Sequence, residues 1–236
     1  IYKEDVIGRR NKTYASLMKI LQIVHSFLPY SVAGVEVYTH NLCQQLTAGH
    51  QVFVFHRISN LKSKEYEIRF KKDENLFVYS INNTLRSCYS FEDLYINRSI
   101  EKGFEKLLDE INPDIVHIQH LVFLSIGLLE KIKERNIPVV FTLHDYWLIC
   151  PNCQLLRRDL SLCDVNGVTQ CIDCLDCLYI KRLPKRISLC IRNVIPKGFL
   201  NFIRKIYLDY AKGATDILFA KNRIEARINH MKEIFE

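Results

Sequence analysis

The chain contains no apolar run approaching the roughly 20 residues that a bilayer-spanning helix needs, and residues 1–17 are polar and mixed in charge. The first absence excludes a transmembrane helix; the second gives no sign of a secretory leader. No G-x-G-x-x-G follows the first apolar run, which argues against a nicotinamide-dependent dehydrogenase. Nothing repeats at solenoid spacing, and no aromatic and basic RNA-binding signature is present, which argues against a zinc-containing nucleic-acid module. What is there is a chain of 236 residues, 48% of them apolar. That suffices for one substantial α/β core, or a core with an appendage. The net charge of +7 permits an acidic partner without identifying one. Ile1 in place of Met suggests a fragment, and residues 1–17 read as a flexible arm.

Pro138 to Cys150 (PVVFTLHDYWLIC) is an apolar run that stops at His144 and Asp145 and opens into a cysteine-rich segment. Unbroken runs of this kind read as parallel strands buried on both faces, and in open α/β sheets ligands collect where the carboxyl ends of such strands emerge. Met18 to Val24 repeats the pattern, ending at His25. Beyond Gly34 the period changes: Val35, Tyr38, Leu42 and Leu46 mark the apolar face of a helix running to about Ala48. Gln51–Ile58 reads as a strand, and Tyr66–Phe70 and Leu76–Ile81 as short strands separated by the charged Lys71 to Glu74. Helices are expected over Leu94–Glu110 and Ser125–Arg135, with a strand at Ile115–Ile118 between them. Pro184 to Lys212 predicts two basic helices, Thr215–Ala220 a last buried strand, and Asn222 the start of a terminal helix. This alternation predicts a Rossmann-like α/β domain with a doubly wound, mostly parallel sheet.

Six of the nine cysteines fall in one segment, as Cys150-x2-Cys153, Cys163 and Cys171-x2-Cys174-x2-Cys177. Paired C-x2-C units with a return are the spacing of structural zinc knuckles. Reduced thiols, an iron–sulfur cluster and disulfides remain open, the last disfavoured in a cytosolic setting. A catalytic metal is disfavoured, because the cluster offers mostly sulfur. Between Lys181 and Lys212, basic residues alternate with Ile, Leu and Phe. Such amphipathic helices suit an anionic membrane surface as well as an ordinary domain surface.

In order and spacing, these landmarks resemble the amino-terminal domain of the GT-B glycosyltransferases of family 4. The resemblance rests on Lys19 to His25 (KILQIVH), Phe27-Leu28-Pro29, Ala33-Gly34-Val35-Glu36, Gly49-His50-Gln51-Val52, Pro113 to His117 (PDIVH) and Leu143 to Trp147 (LHDYW). It implies one half of a GT-B fold over residues 18–225, with a cysteine-rich insertion at 145–180 and basic helices at 181–212. Residues 226–236 would be the terminal helix at the start of a linker, with the carboxy-terminal donor-binding domain absent. The implied activity is the acceptor side of a retaining transfer from a sugar nucleotide to a glycan or lipid-linked acceptor, in the cytoplasm or on the inner membrane face. A non-catalytic subunit that binds the acceptor beside a separate donor-binding chain is the alternative.

By the same resemblance His144 faces the transferred sugar or the acceptor hydroxyl, and Asp145 orients nearby groups. Ala33 and Gly34 would let backbone N–H groups approach the diphosphate, with Glu36, His25 and His120 as further substrate-binding candidates. The family usually has Gly-Gly where this chain has Ala33-Gly34, and the added methyl would narrow that approach, a second Gly also allowing positive φ. The implied zinc ligands are Cys150, Cys163, Cys171 and Cys174, with Cys153 and Cys177 as alternates.

Overall fold

The computed structural model describes residues 17–73, 76–88, 90–157, 159–164, 171, 174 and 217–235. Strands β1 (Lys19–Val24), β2 (Gln51–Ile58), β3 (Ile68–Asp73), β4 (Leu76–Asn82), β5 (Ile115–Ile118) and β6 (Val139–Phe141) form one sheet in the order β3-β4-β2-β1-β5-β6. Every pairing is parallel except that of β3 with β4. The described helices include α1 (Gly34–Leu46), α2 (Arg98–Ile111), α3 (Leu128–Lys133) and α4 (Ile217–Phe235). The expected Rossmann-like, mostly parallel α/β architecture is what the chain forms.

Alternation along the strands decides which helix lies on which face. Leu21, Ile23, Phe53, Phe55, Val116 and Ile118 turn to one side and bury Phe104, Leu107 and Leu108 of α2 and Ile224, Met231 and Ile234 of α4. Val24, Val52 and Val54 turn to the other side and pack on Cys43 of α1. Strands covered on both faces in this way have no polar face to show, which is why β1 and β2 read as continuous apolar runs. From β1 the chain builds outward through β2 and β4, then returns to place β5 on the other flank of β1. That reversal is the topological switch point, and it leaves a crevice beyond the carboxyl ends of β1 and β5.

Several expectations change. Residues 217–220 are the first turn of α4 rather than a buried strand; a short apolar run fits the start of a buried helix as well as a strand, and length decides. The buried face of α1 is Glu36, Thr39 and Cys43, while Tyr38 is 46% exposed. The helix is turned by about one residue from its apolar stripe, because Glu36 goes inward to meet His25. Strand β3 runs through Lys71, Lys72 and Asp73 instead of stopping before them, since it is an exposed edge where charge is tolerated. Strand β6 forms the other edge and is only half-buried, not covered on both faces. Helix α2 starts later than its apolar spacing suggests because the Asn97 side chain accepts the Ser99 and Ile100 N–H groups and sets the cap there. Residues 1–16 of the arm expected over 1–17, the basic helices over 181–212 and Cys177 lie outside the described residues.

Candidate functional site

The crevice collects residues from three strand ends. His25 follows β1, Gln119 and His120 follow β5, and His144 and Asp145 follow β6. At its centre, His120 Nδ1 accepts the Val122 N–H at 3.0 Å, which leaves the ring proton on Nε2. That Nε2–H donates to Asp145 Oδ2 at 2.9 Å, and Asp145 Oδ1 accepts the Trp147 N–H at 2.8 Å. The carboxylate is therefore fixed from both sides. The His120 ring meets His25 edge-on at 4.9 Å and lies 5.5 Å from the Trp147 ring.

His25 reaches inward to Glu36, with Nε2 3.3 Å from Oε1 and the carboxylate side chain 2% exposed. Burial first, and the His120 ring second, push His25 down to about 4. His25 is therefore neutral at neutral pH, and its contact with Glu36 is not an ion pair there. Glu36 Oε2 and His25 Nδ1 are buried without a partner among the described residues. Buried polar atoms of this kind call for a water or a ligand group.

His144 lies at the outer edge of the cluster, half-buried. Its Nε2–H donates to Gln119 Oε1 at 2.8 Å, its ring meets Tyr38 edge-on at 5.1 Å, and burial and then His120 hold its pKa below the usual histidine value. Behind it a polar row runs into the sheet. Gln119 Nε2 donates to Gln22 Oε1 at 3.0 Å, and His117 joins the row and pairs with Thr142 Oγ1 at 2.8 Å. The structure thus brings together His25, Glu36, His120, His144 and Asp145. Gln22, Gln119, Tyr38 and Trp147 escaped the sequence reading, although a glutamine inside the apolar run MKILQIV was a usable signal.

Ala33 and Gly34 begin α1 at the crevice rim. Ala33 is extended, with φ −136° and ψ −178°, and no described glycine has positive φ. The turn therefore does not use the conformational freedom that a second glycine would add. A Cβ placed on Gly34 meets nothing within 4 Å. The space there is open to a ligand.

The cysteines flank the same loop. Cys150, Cys163, Cys171 and Cys174 are free thiols that line one cavity of about 20 Å³, room for a single ion. Burial, then the sulfurs of Cys163, Cys150 and Cys174, push the Cys171 thiol up to about 11, so these groups already sense one another. The donor chemistry fits zinc, although the group whose donor atoms all lie within 4.8 Å of one another is a different one, His120, Asp145 and Cys153. That group does not fit a metal: His120 Nε2 carries the proton it gives to Asp145, and the other oxygen of Asp145 is taken by the Trp147 N–H.

A Rossmann-like sheet with a polar cluster at its switch point shares the architecture of domains that take ligands over their strand ends. The chain belongs to Glycosyltransferase Family 4, whose profile matches residues 32–163. It is 32% identical over 152 residues to a protein described as an uncharacterized 42.6 kDa protein in the cps region of Klebsiella pneumoniae, a match covering 60% of this chain and 40% of that protein. The chain thus spans well under half the length of this curated relative. Among solved structures, sucrose-phosphate synthase from Thermosynechococcus elongatus aligns at 12% identity and TM-score 0.39, over 76% of this chain and 46% of that one. A trehalose-6-phosphate structure from E. coli bound with UDP-2-fluoro glucose aligns at 13% identity and TM-score 0.39, over 75% and 43%. The catalytic domain of Starch Synthase IV from Arabidopsis thaliana aligns at 17% identity and TM-score 0.36, over 55% and 34%. Among the described residues, no helix is long and apolar enough to cross a membrane.

Proposed function

We propose that the chain is the acceptor-side domain of a retaining glycosyltransferase, moving a sugar from a sugar nucleotide to a glycan or lipid-linked acceptor. The observation that carries this reading is the convergence of His25, Glu36, His120, His144 and Asp145 on the switch-point crevice of a family 4 domain. Transfer forms a bond from the acceptor oxygen to the anomeric carbon and breaks the bond from that carbon to the diphosphate, which leaves with the electron pair and takes up the acceptor proton. Such a reaction asks the protein mainly for positioning and for stabilisation of developing charge. His144, with Nε2 held by Gln119, presents Nδ1 to a sugar or acceptor hydroxyl. Asp145 holds His120, and the open amino-terminal edge of α1 at Gly34 offers N–H groups to the departing diphosphate. The relative from a cps region supports a role in polysaccharide assembly, which suits a cytoplasmic or peripheral location on the inner membrane face.

Within this reading Cys150, Cys163, Cys171 and Cys174 hold a structural zinc that ties the 150–174 loop beside the crevice. A bound ion at the ~2.3 Å Zn–S distance would draw the four sulfurs inward. Protein purified without added metal is expected to contain about one zinc per chain, and cobalt substitution should give the intense visible bands of a tetrahedral thiolate site. Metal-free protein of unchanged stability would remove the zinc.

Release of nucleoside diphosphate from a panel of sugar nucleotides tests the main reading. It is measured with the chain alone and mixed with the polypeptide encoded next to it. Release in either arm that requires an acceptor supports the transferase; silence in both, with a control enzyme active on the same panel, favours a subunit that only binds an acceptor.

A further inference from the structure

The carboxy-terminal helix carries one residue whose placement its own packing does not explain. Arg227 of α4 is 1% exposed, among the most buried large side chains of the domain. Its Nη2 donates to the Trp147 carbonyl at 2.5 Å and its Nη1 to the Leu148 carbonyl at 3.4 Å. The guanidinium also lies over the rings of Tyr95 and Trp147, at 5.5 and 5.3 Å. No carboxylate pairs with it among the described residues. A buried guanidinium without an anion is costly unless its donors are used. Here the donors go to the carbonyls of a loop three and four residues beyond His144.

Helix α4 does not need Arg227 to stay docked. Ile224, Met231 and Ile234 bury its apolar side, Arg223 pairs with Glu92 at 2.6 Å, and Lys133 Nζ donates to the Ile234 carbonyl. The bonds of Arg227 lead elsewhere. Trp147, gripped at its carbonyl and its ring, gives its N–H to Asp145 Oδ1, and Asp145 Oδ2 holds His120. The guanidinium thus stands at the end of an unbroken line of contacts to the centre of the crevice.

We propose that Arg227 is a positioning residue for sugar transfer, holding the loop after Asp145 so that Asp145, His120 and His144 keep their mutual geometry. The proposal rests on the transferase reading for its kinetic half only. Trp147 is the single tryptophan of the chain, so its fluorescence reports on the Arg227 contact without any assay of turnover. Arg227→Met keeps side-chain bulk and removes the donors. It is expected to shift Trp147 emission to longer wavelength, raise its quenching by acrylamide, and lower kcat roughly 10- to 100-fold with the donor KM changed less than about twofold. Arg227→Lys, charged but without the planar fork, should recover part of kcat. Lys133→Ala loosens α4 at a site away from the loop, and should lower thermal stability while leaving Trp147 emission and kcat alone.

Unchanged Trp147 emission and quenching in folded Arg227→Met protein would overturn the proposal, as would an equal kcat loss in Lys133→Ala. If Arg227→Met does not fold, the Trp147 response and kcat of Arg227→Lys decide in the same way. Should no sugar be transferred from any donor, either by the protein alone or in the mixture with the polypeptide encoded next to it, the transferase reading fails, and the fluorescence comparison still decides whether Arg227 fixes the loop.

Discussion

At the scale of single residues, the crevice is built from histidines whose protons are assigned by their neighbours. His144→Ala is expected to cut transfer by roughly 100-fold or more while leaving thermal stability nearly unchanged, because the ring is only partly buried and meets the core through a single hydrogen bond. Undiminished turnover would remove His144 from the mechanism. A second expectation concerns pH. His56 is fully buried, with Nδ1 donating to the Arg57 carbonyl and Nε2 accepting from Ser80 Oγ, and burial lowers it from 6.5 to about 4. The folded state keeps this ring neutral while the unfolded chain protonates it near 6.5, so its contribution is complete above that value. The contribution is lost as pH falls from about 6.5 toward 4, at up to about 1.4 kcal/mol for each pH unit. Urea unfolding between pH 7 and 4.5 should show this slope added to that of His25, which burial also lowers to about 4, and His56→Gln should remove the His56 share. The pairs His25–Glu36 and His120–Asp145 could not be read from the sequence, since they join residues 11 and 25 positions apart that only the sheet brings together.

At the scale of elements, what was legible depended on where each strand lies. The central β1, β2 and β5 announced themselves because both faces are covered. The edges β3 and β6 were misjudged in opposite ways, one for being charged and one for being apolar, since an edge tolerates either. Helix α1 was found, but its inward face was not: a buried Glu36 goes against hydrophobic patterning and is explained only by the histidine facing it. Asn97→Ala removes an acceptor for two N–H groups at the start of α2, and should lower stability by about 1 kcal/mol in chemical denaturation. Gly34→Ala, with open space around the added methyl and no positive φ to lose, should leave the melting temperature unchanged or slightly higher. The same change should raise KM for the sugar nucleotide if the diphosphate rests on that helix end. An unchanged KM would move the diphosphate elsewhere.

At the scale of the whole molecule, sheet order predicts the order of opening. Amides of β1 and β5, interior in the sheet, should exchange with deuterium most slowly, and those of the edge strand β3 soonest among the strands. Equal protection of β3 and β1 would contradict the described order. The sheet also joins distant parts of the chain. Strand β1 pairs with β5, and Trp147 is held by a side chain 80 positions further along. A ribosome supplies residues one at a time, at roughly 5–20 per second. His25 and Glu36 emerge before His120 and Asp145, and the arginine that clamps their loop emerges 80 positions after Trp147. On this arrangement the newborn chain has a sheet well before it has a finished crevice. A chain made only as far as Asp145 lacks the clamp on the crevice loop, so the described crevice is assembled only once α4 has been made.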